Sequence, residues 1–470
     1  MSEQEDYYSR YESPLSYRYG SPEMREVWSE RNRWERIRDV WVTVAEVQNS
    51  VGLVTDEELA DLKEHRGELD VRRIFELEKT SGHDIAAAIN EFGEKAQIGK
   101  RIIHQGMTSE DVISNAEILR IREALGLVET KLDKALLSFA DKIDVTADRV
   151  AMGWTHLQAA EPTTVGYRLA RYAQDLLADR EFLRFVKSQA KGKGIKGAVG
   201  TSASFAHLLE GREMSPAEHE EKIMEKLGID PVLVSGQPYP RKIDFLVVSA
   251  LSSLGQSLHR FGLDVQVLQS SPFAEWAEPR RKGQIGSSAM PHKQNPINSE
   301  NIDSLTSVLP GYLMSAWIPA ATETLERTLR DSAGKRIWLP EAFLITDEAL
   351  TRADKVAAGL VIHDNVIDRN LDQFGPFSAL EMILAEAGEQ GADRQETHEA
   401  LRELASEAQS AVWRGDSNPL QVLVAEDPRI RKHLTPAKIN RLFEEVRSHI
   451  GDAPERARKM SSLIRETIST

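Results

Sequence analysis

The sequence predicts an all-α chain built around a central bundle of long helices. Three observations carry that expectation. Apolar residues recur every three or four positions over stretches longer than an ordinary helix, strand-like alternation is scarce, and the longest non-helical run sits between two such stretches. That run is Gly283-Gln-Ile-Gly-Ser-Ser-Ala-Met-Pro-His-Lys-Gln-Asn-Pro-Ile-Asn-Ser-Glu300.

In chain order, Ser21-Pro22 supplies a cap and a first-turn proline for a helix over 23–48, whose apolar positions include Trp28, Trp34, Ile37, Trp41, Val44 and Val47. Shorter helices follow over 56–63, 71–79 and 85–92. They are interrupted by Thr80-Ser-Gly-His-Asp84 and followed by a second break at His104-Gln-Gly-Met-Thr-Ser-Glu-Asp111. Asp84 caps the helix starting at Ile85, and Thr108 or Ser109 the next one. Ile118, Ile121, Leu125, Val128, Leu132, Leu136, Phe139 and Ile143 then form one stripe, about 38 Å long at 1.5 Å per residue. Ile243 to Leu268 repeats it, and further long segments cover 167–189, 302–321 and 338–363. Five such helices with wide apolar faces point to a bundle that packs on copies of itself. After Asp364 the segments shorten, over 377–386, 393–412 and 436–449. The expected domains are therefore 1–112 (N-terminal helices), 113–364 (the bundle, carrying the serine loop) and 365–470 (a small helical domain).

The net charge of -15 excludes a dominant nucleic-acid surface, though not a local basic pocket. The absence of cysteine excludes disulfides, thiolate nucleophiles and thiolate metal sites. Neither an apolar signal core near the N-terminus nor a run of ~18 apolar residues is present, so no membrane is engaged and a cytoplasmic enzyme is expected.

Pro291 and Pro296 bar the 283–300 run from being helix interior or central strand, and polar loops this long are usually functional or disordered. Gly286 lets Ser287 and Ser288 take unusual backbone angles, Lys293 suits a carboxylate or developing negative charge, Asn295 adds an amide, and Glu300 can orient the lysine. A solvated surface loop explains the same composition.

Gly192-Lys-Gly-Ile-Lys-Gly197 fits the G-x-G-x-x-G pattern, but helix precedes it where a dinucleotide fold needs a strand, and Ala198 stands where a P-loop needs lysine. The lone His156 is, on residue statistics, more often structural than catalytic. His104, His207, His219, His259 and His398 have no metal-site spacing and no H-E-x-x-H occurs, so no metal and no cofactor are assigned.

Gly286-Ser-Ser-Ala-Met-Pro-His-Lys-Gln-Asn-Pro296 resembles the GSSxMPxKxNP signature of the fumarase/aspartase superfamily, lyases that eliminate fumarate from a succinyl-type substrate. Thr155-His156 matches the superfamily's second signature. Four more stretches resemble the adenylosuccinate lyase family in particular: Tyr11 to Met24, Gly194 to Phe205, Ser235 to Asp244 and Glu326 to Arg336. Arg394 to Glu399, with His398, is similar to a motif of that family's C-terminal domain.

The resemblance implies a three-domain fumarase/aspartase-like fold. It also implies a homotetramer with sites shared between chains, and cleavage of fumarate from adenylosuccinate and from succinylaminoimidazole carboxamide ribotide. By the same resemblance Ser287 is the base, with Ser288 the alternative, and His156 is the acid, a task suited to imidazole. His83 positions substrate, and Arg18, Tyr19, Asp84, Gln237, Arg327, Ser332 and Arg336 bind it. Lys293, Asn295, Thr108 and Ser109 stabilise a dianionic intermediate, and Glu300 supports the lysine. Gly82 stands where relatives carry arginine or asparagine, Arg330 where some have an acid, and Asn301 where some have arginine. Another superfamily member, such as an argininosuccinate lyase, and a catalytically silent protein on the same bundle are the rival readings.

Overall fold

A computed structural model describes residues 9–469; residues 1–8, part of the stretch read for a leader, and Thr470 lie outside them. The described chain is predominantly helical. Both predicted stripes are buried: every one of the eight positions from Ile118 to Ile143 is fully inaccessible, and those from Ile243 to Leu268 are at most 6% exposed. They belong to the helices Ser109–Thr146 and Lys242–Gln269, which join Val165–Gln189 and Ser332–Gly359 as the long elements.

The chain gathers into two compact units. The first comprises the described residues through Leu132, Ala178–Leu258 and Ser304–Thr351; the second comprises Asp133–Leu177, His259–Asp303 and the chain from Arg352. In the first, the long helices are tied by Lys187 to Glu129 (2.7 Å), Ser253 to Asp179 (2.6 Å) and Lys131 to Asp347 (2.7 Å). A cluster around Trp34, Trp41, Phe92 and Ile102 forms the core of its N-terminal helices. In the second unit the other stretches of these helices meet through Phe139, Phe261 and Tyr172, and Ser138 donates to Asp354 (2.6 Å). Ile383, Leu401, Leu420, Ile439 and neighbours make a separate cluster in its C-terminal part.

Local chemistry explains where the structure departs from expectation. The first long segment is two helices, Pro22–Val27 and Glu30–Asn49, because Ser29 turns extended and caps Asn32. The expected 302–321 helix is Ile297–Thr306 followed by Leu309–Thr322, whose early Pro310 cannot continue the preceding turn. His83, rather than Asp84, caps the helix Asp84–Lys95: its ring nitrogen Nδ1 accepts from the amide of Ala86 (3.4 Å), and Asp84 is the first helical residue. The final helix, Ala453–Ser469, was not anticipated; its buried face is mostly Ala453, Pro454, Ala457 and Ser461, a weak apolar signal. Strands Val150–Thr155 and Gln158–Thr164 form a hairpin in the second unit.

Candidate active site

The first unit holds a cavity of about 460 Å³. Eight of the residues singled out above line it: His83, Asp84, Thr108, Ser109, Gln237, Arg327, Ser332 and Arg336. Three of the contributing segments are helix beginnings. His83 and Asp84 open Asp84–Lys95, Thr108 and Ser109 open Ser109–Thr146, and Ser332 opens Ser332–Gly359. Free amides and the dipole make such ends suitable for anions.

Asp84 sits between two guanidinium groups, Arg33 at 2.7 Å and Arg336 at 3.4 Å. Burial alone would raise its carboxyl, but the charge and hydrogen bond of Arg33, with the Ile85 amide and Arg336, hold it below the usual range. Nδ1 of His83 accepts from the Ala86 amide, which turns Nε2 toward the Ser109 hydroxyl at 3.5 Å. Gln237 is placed by its own amide, which donates to the Glu326 carbonyl (2.8 Å), and its side chain reaches toward Thr108 Oγ1 (3.5 Å). Gly236 makes that approach possible, since a Cβ there would stand 2.7 Å from the same carbonyl.

Behind these groups lies a buried charge network that sequence reasoning missed. Arg327 is held by Glu110 (3.1 Å) and Asp331 (2.8 Å), Arg241 by Asp331 (2.8 Å), and Lys335 by Glu117 (2.5 Å). The Tyr239 hydroxyl lies within hydrogen-bond reach of Glu117 (2.9 Å) and Asp244 (2.5 Å), sharing its one proton between them. Burial pushes the Glu117 carboxyl up, yet Lys335 and Arg241 outweigh it and hold it down at about 2. Arg33, Arg120, Arg241, Arg327, Lys335 and Arg336 line the cavity together with Glu30, Asp84, Glu110, Glu117 and Asp331, so its wall is densely charged and most of its cations are held by acids. The missed partners were legible as neighbours: Asp331 and Lys335 lie within the Glu326 to Arg336 motif, and Arg241 and Asp244 within Ser235 to Asp244.

Arg18 and Tyr19 also belong to the first unit but do not line the cavity. The Gly20 amide donates to Glu348 (3.0 Å) and the Ser21 amide to Asp347 (2.6 Å), which fastens the pair to the helix Ser332–Gly359. Gly20 takes φ +80°, and a Cβ would meet Leu344 at 2.6 Å.

His156, Ser287, Lys293, Asn295 and Glu300 belong to the second unit. His156 and Leu157 form the two-residue tip of the hairpin, with φ of 55° and 58°. Such a turn normally draws Asn or Gly, so an imidazole and a leucine there are held against conformational preference. Trp154 secures the hairpin edge-on against Phe273 and Phe374.

In the serine loop, Ser287 Oγ accepts from the amides of Ala289 (3.3 Å) and Met290 (3.1 Å), while Ser288 is exposed. Asn295 donates to the Gly286 carbonyl (3.1 Å), and a Cβ on Gly286 would stand 2.3 Å from the Lys293 carbonyl. The side chains of Lys293 and Glu300 are exposed. The loop's end is anchored by the buried Glu278, whose carboxylate accepts from both the amide and the side chain of Asn298 and of Ser299, at 2.5–3.0 Å.

Among the described residues one group has metal-ligand chemistry, Glu161, Glu381 and His449 in the second unit, with candidate ligand atoms within 4.8 Å of one another. The hydrogen bond to Glu381, helped by burial, pushes the Glu161 carboxyl up.

Residues 16–311 match the family model described as Lyase, and residues 376–460 the one described as Adenylosuccinate lyase C-terminus. The chain is 37% identical to the adenylosuccinate lyase of Schistosoma mansoni, covering 87% of this chain and 85% of that one. It is 37% identical to that of Saccharomyces cerevisiae (89% and 88% covered) and 31% to that of Archaeoglobus fulgidus (97% and 99%). Among solved structures, 3-carboxy-cis,cis-muconate lactonizing enzyme from Pseudomonas putida superposes with a TM-score of 0.84 at 23% identity, over 97% of this chain and 99% of that one. Fumarate lyase from Mesorhizobium sp. BNC1 gives 0.83 at 19%, over 96% and 99%. These two likenesses show the fold alone; the sequence matches establish that the chain belongs to the adenylosuccinate lyase family of the fumarase/aspartase superfamily.

Proposed function

We propose that this lyase eliminates fumarate from adenylosuccinate, leaving AMP, and from succinylaminoimidazole carboxamide ribotide, leaving the carboxamide ribotide. The observation that carries the reading is the cavity of the first unit, which collects eight of the expected site residues, among them Arg327, Ser332 and Arg336, donors suited to a phosphate that a simple dicarboxylate substrate lacks. Arg327, Ser332 and Arg336 take the phosphate, Arg18 and Tyr19 the nucleotide, and Gln237, Asp84 and His83 orient the succinyl group.

Ser287, as its alkoxide, removes a proton from the carbon β to the leaving nitrogen, which is α to the distal carboxylate of the succinyl group. The electron pair enters that carboxylate to give a dianion, which Lys293, Asn295, Thr108 and Ser109 stabilise while Glu300 supports the lysine. The pair returns to form the double bond of fumarate, the carbon–nitrogen bond breaks, and His156 protonates the departing nitrogen. A serine alkoxide needs donors, and the Ala289 and Met290 amides already aimed at Ser287 Oγ favour Ser287 over Ser288.

The catalytic groups are assigned to a homotetramer whose sites draw on more than one chain. The half-exposed Met314, Trp317 and Ile318 on the helix Leu309–Thr322 support such packing. The segments 1–112, 113–364 and 365–470 remain the proposed domains, the last supported by the separate C-terminal cluster. No helix among the described residues is long and apolar enough to cross a membrane, and we place the enzyme in the cytoplasm with small-molecule partners only, neither nucleic acid nor membrane.

The test is ultraviolet turnover of adenylosuccinate by the purified protein, with argininosuccinate as the control substrate, beside the His156→Ala and Ser287→Ala variants. Turnover of adenylosuccinate alone, lost in both variants, is expected. Turnover of argininosuccinate, or of neither substrate, would overturn the reading.

A further inference from the structure

The glycine-rich run Gly192–Gly197, which matched no nucleotide-binding context, does cradle an anion, and the anion is a side chain of this protein. Asp111 is completely buried in the first turn of the helix Ser109–Thr146. Its Oδ1 accepts from the amides of Lys196 (3.1 Å) and Gly197 (3.1 Å) and from Nζ of Lys193 (2.5 Å). Successive backbone amides converging on one oxygen are the arrangement by which such turns hold phosphate. Lys193 is as deeply buried as Asp111, and its ammonium also donates to the Gly197 carbonyl (2.8 Å).

One helical turn on, Asn115 fastens the same run by donating to the Gly194 carbonyl (3.0 Å) and accepting from the Gly194 amide (3.2 Å). A Cβ on Gly192 would stand 2.4 Å from Asn115 Oδ1, so the close fit depends on glycine there.

The second oxygen of Asp111 faces the Thr108–Ser109 turn. Oδ2 accepts from the amide of Thr108 (2.8 Å), and the Asp111 amide donates back to the Thr108 carbonyl (2.9 Å). A few residues upstream, Ser204 donates to the Gly106 carbonyl (2.8 Å), and Gly106 takes φ +74° against Leu208, where a Cβ would fall 2.4 Å away. The segment from Gly192 to Leu208 therefore grips the Thr108–Ser109 turn from both sides.

We infer that Asp111 is a positioning residue of the active site, seated in the glycine-rich run so that it holds Thr108 and Ser109 where they meet the intermediate. The inference rests on the proposed role of those two residues. A displaced donor pair costs transition-state stabilisation, and a misplacement of about 1 Å is worth on the order of 10²-fold in rate. Because Thr108 and Ser109 act on charge that develops during reaction, the loss falls on kcat, with KM changed by no more than about threefold.

The experiment compares Asp111→Asn, the double variant Asp111→Asn/Lys193→Met, which leaves no unpaired buried cation, and Thr108→Ala/Ser109→Ala, alone and combined with Asp111→Asn. The expected result is a folded Asp111→Asn/Lys193→Met enzyme with kcat reduced on the order of 10²-fold, and no added loss when Asp111→Asn is placed on the Thr108→Ala/Ser109→Ala background. A purely structural aspartate would give multiplicative losses on that background, which would overturn the inference. So would native kcat in the folded variants, or failure of both Asp111 variants to fold. Full activity of Thr108→Ala/Ser109→Ala would instead overturn the role assigned to that pair.

Discussion

The cavity of the first unit and the serine loop of the second are built on opposite principles. In the cavity, Arg241, Lys335, Asp244 and Asp331 are buried, pair with one another and with the half-buried Glu117, and the side chains facing the space lean on that network. In the loop, Ser287 and Asn295 are half-buried and rest on a few local bonds, Lys293 is exposed, and firm anchorage comes only beyond them, at the Glu278 carboxylate. The difference teaches that the proposed binding surface is prepaid in folding stability, whereas the proposed base is kept on a segment able to adjust to substrate.

Substitutions should therefore separate stability from rate. Glu117→Gln, inside the cavity network, takes from Lys335 its nearest countercharge, while Arg241 keeps Asp331. It should lower unfolding free energy by about 1–3 kcal/mol in a urea titration, the range for leaving a buried polar partner unsatisfied. Gly286→Ala, in the loop, forces its Cβ against the Lys293 carbonyl and so displaces the serine arm. It should reduce kcat on the order of 10²-fold while stability stays within ~0.5 kcal/mol. A loop variant that melts the protein, or a cavity variant that leaves its stability untouched, would break the comparison.

A smaller effect sharpens it through pH. His219, in the first unit, is fully buried beside Phe205 and pushed down to about 4 from its ordinary 6.5 by that burial. Because the folded value is the lower one, the unfolded chain takes up more protons between these limits. The neutral ring's contribution is intact above pH 6.5, declines as pH falls and is gone by about pH 4. His219→Leu should flatten the acid side of the stability profile by on the order of 1–3 kcal/mol across that window, measured by urea unfolding at successive pH values. An unchanged profile would assign the acid sensitivity elsewhere, His104 being the other histidine lowered to about 4 by burial.

Much of this was legible in the sequence for a physical reason: a helix with one buried stripe advertises it, and Ile118 to Ile143 do so without a gap. The helix Ala453–Ser469 was not legible because small residues bury without raising hydrophobicity. The hairpin was obscured by Gly153, Pro162 and a His-Leu tip that carries no ordinary turn signal. At the site, the motif residues were readable one by one. Their second partners were not, because Asp84 meeting Arg33 across 51 positions, or Glu117 meeting Lys335 across 218, leaves no trace in spacing.

The most direct test of the central claim, a binding surface formed independently of the catalytic serine, is calorimetric titration of the Ser287→Ala protein with adenylosuccinate. The account predicts binding within about threefold of the KM of the unmodified enzyme, with no fumarate released. Loss of binding together with turnover would contradict it, because the loop would then be part of the surface that recognises the nucleotide.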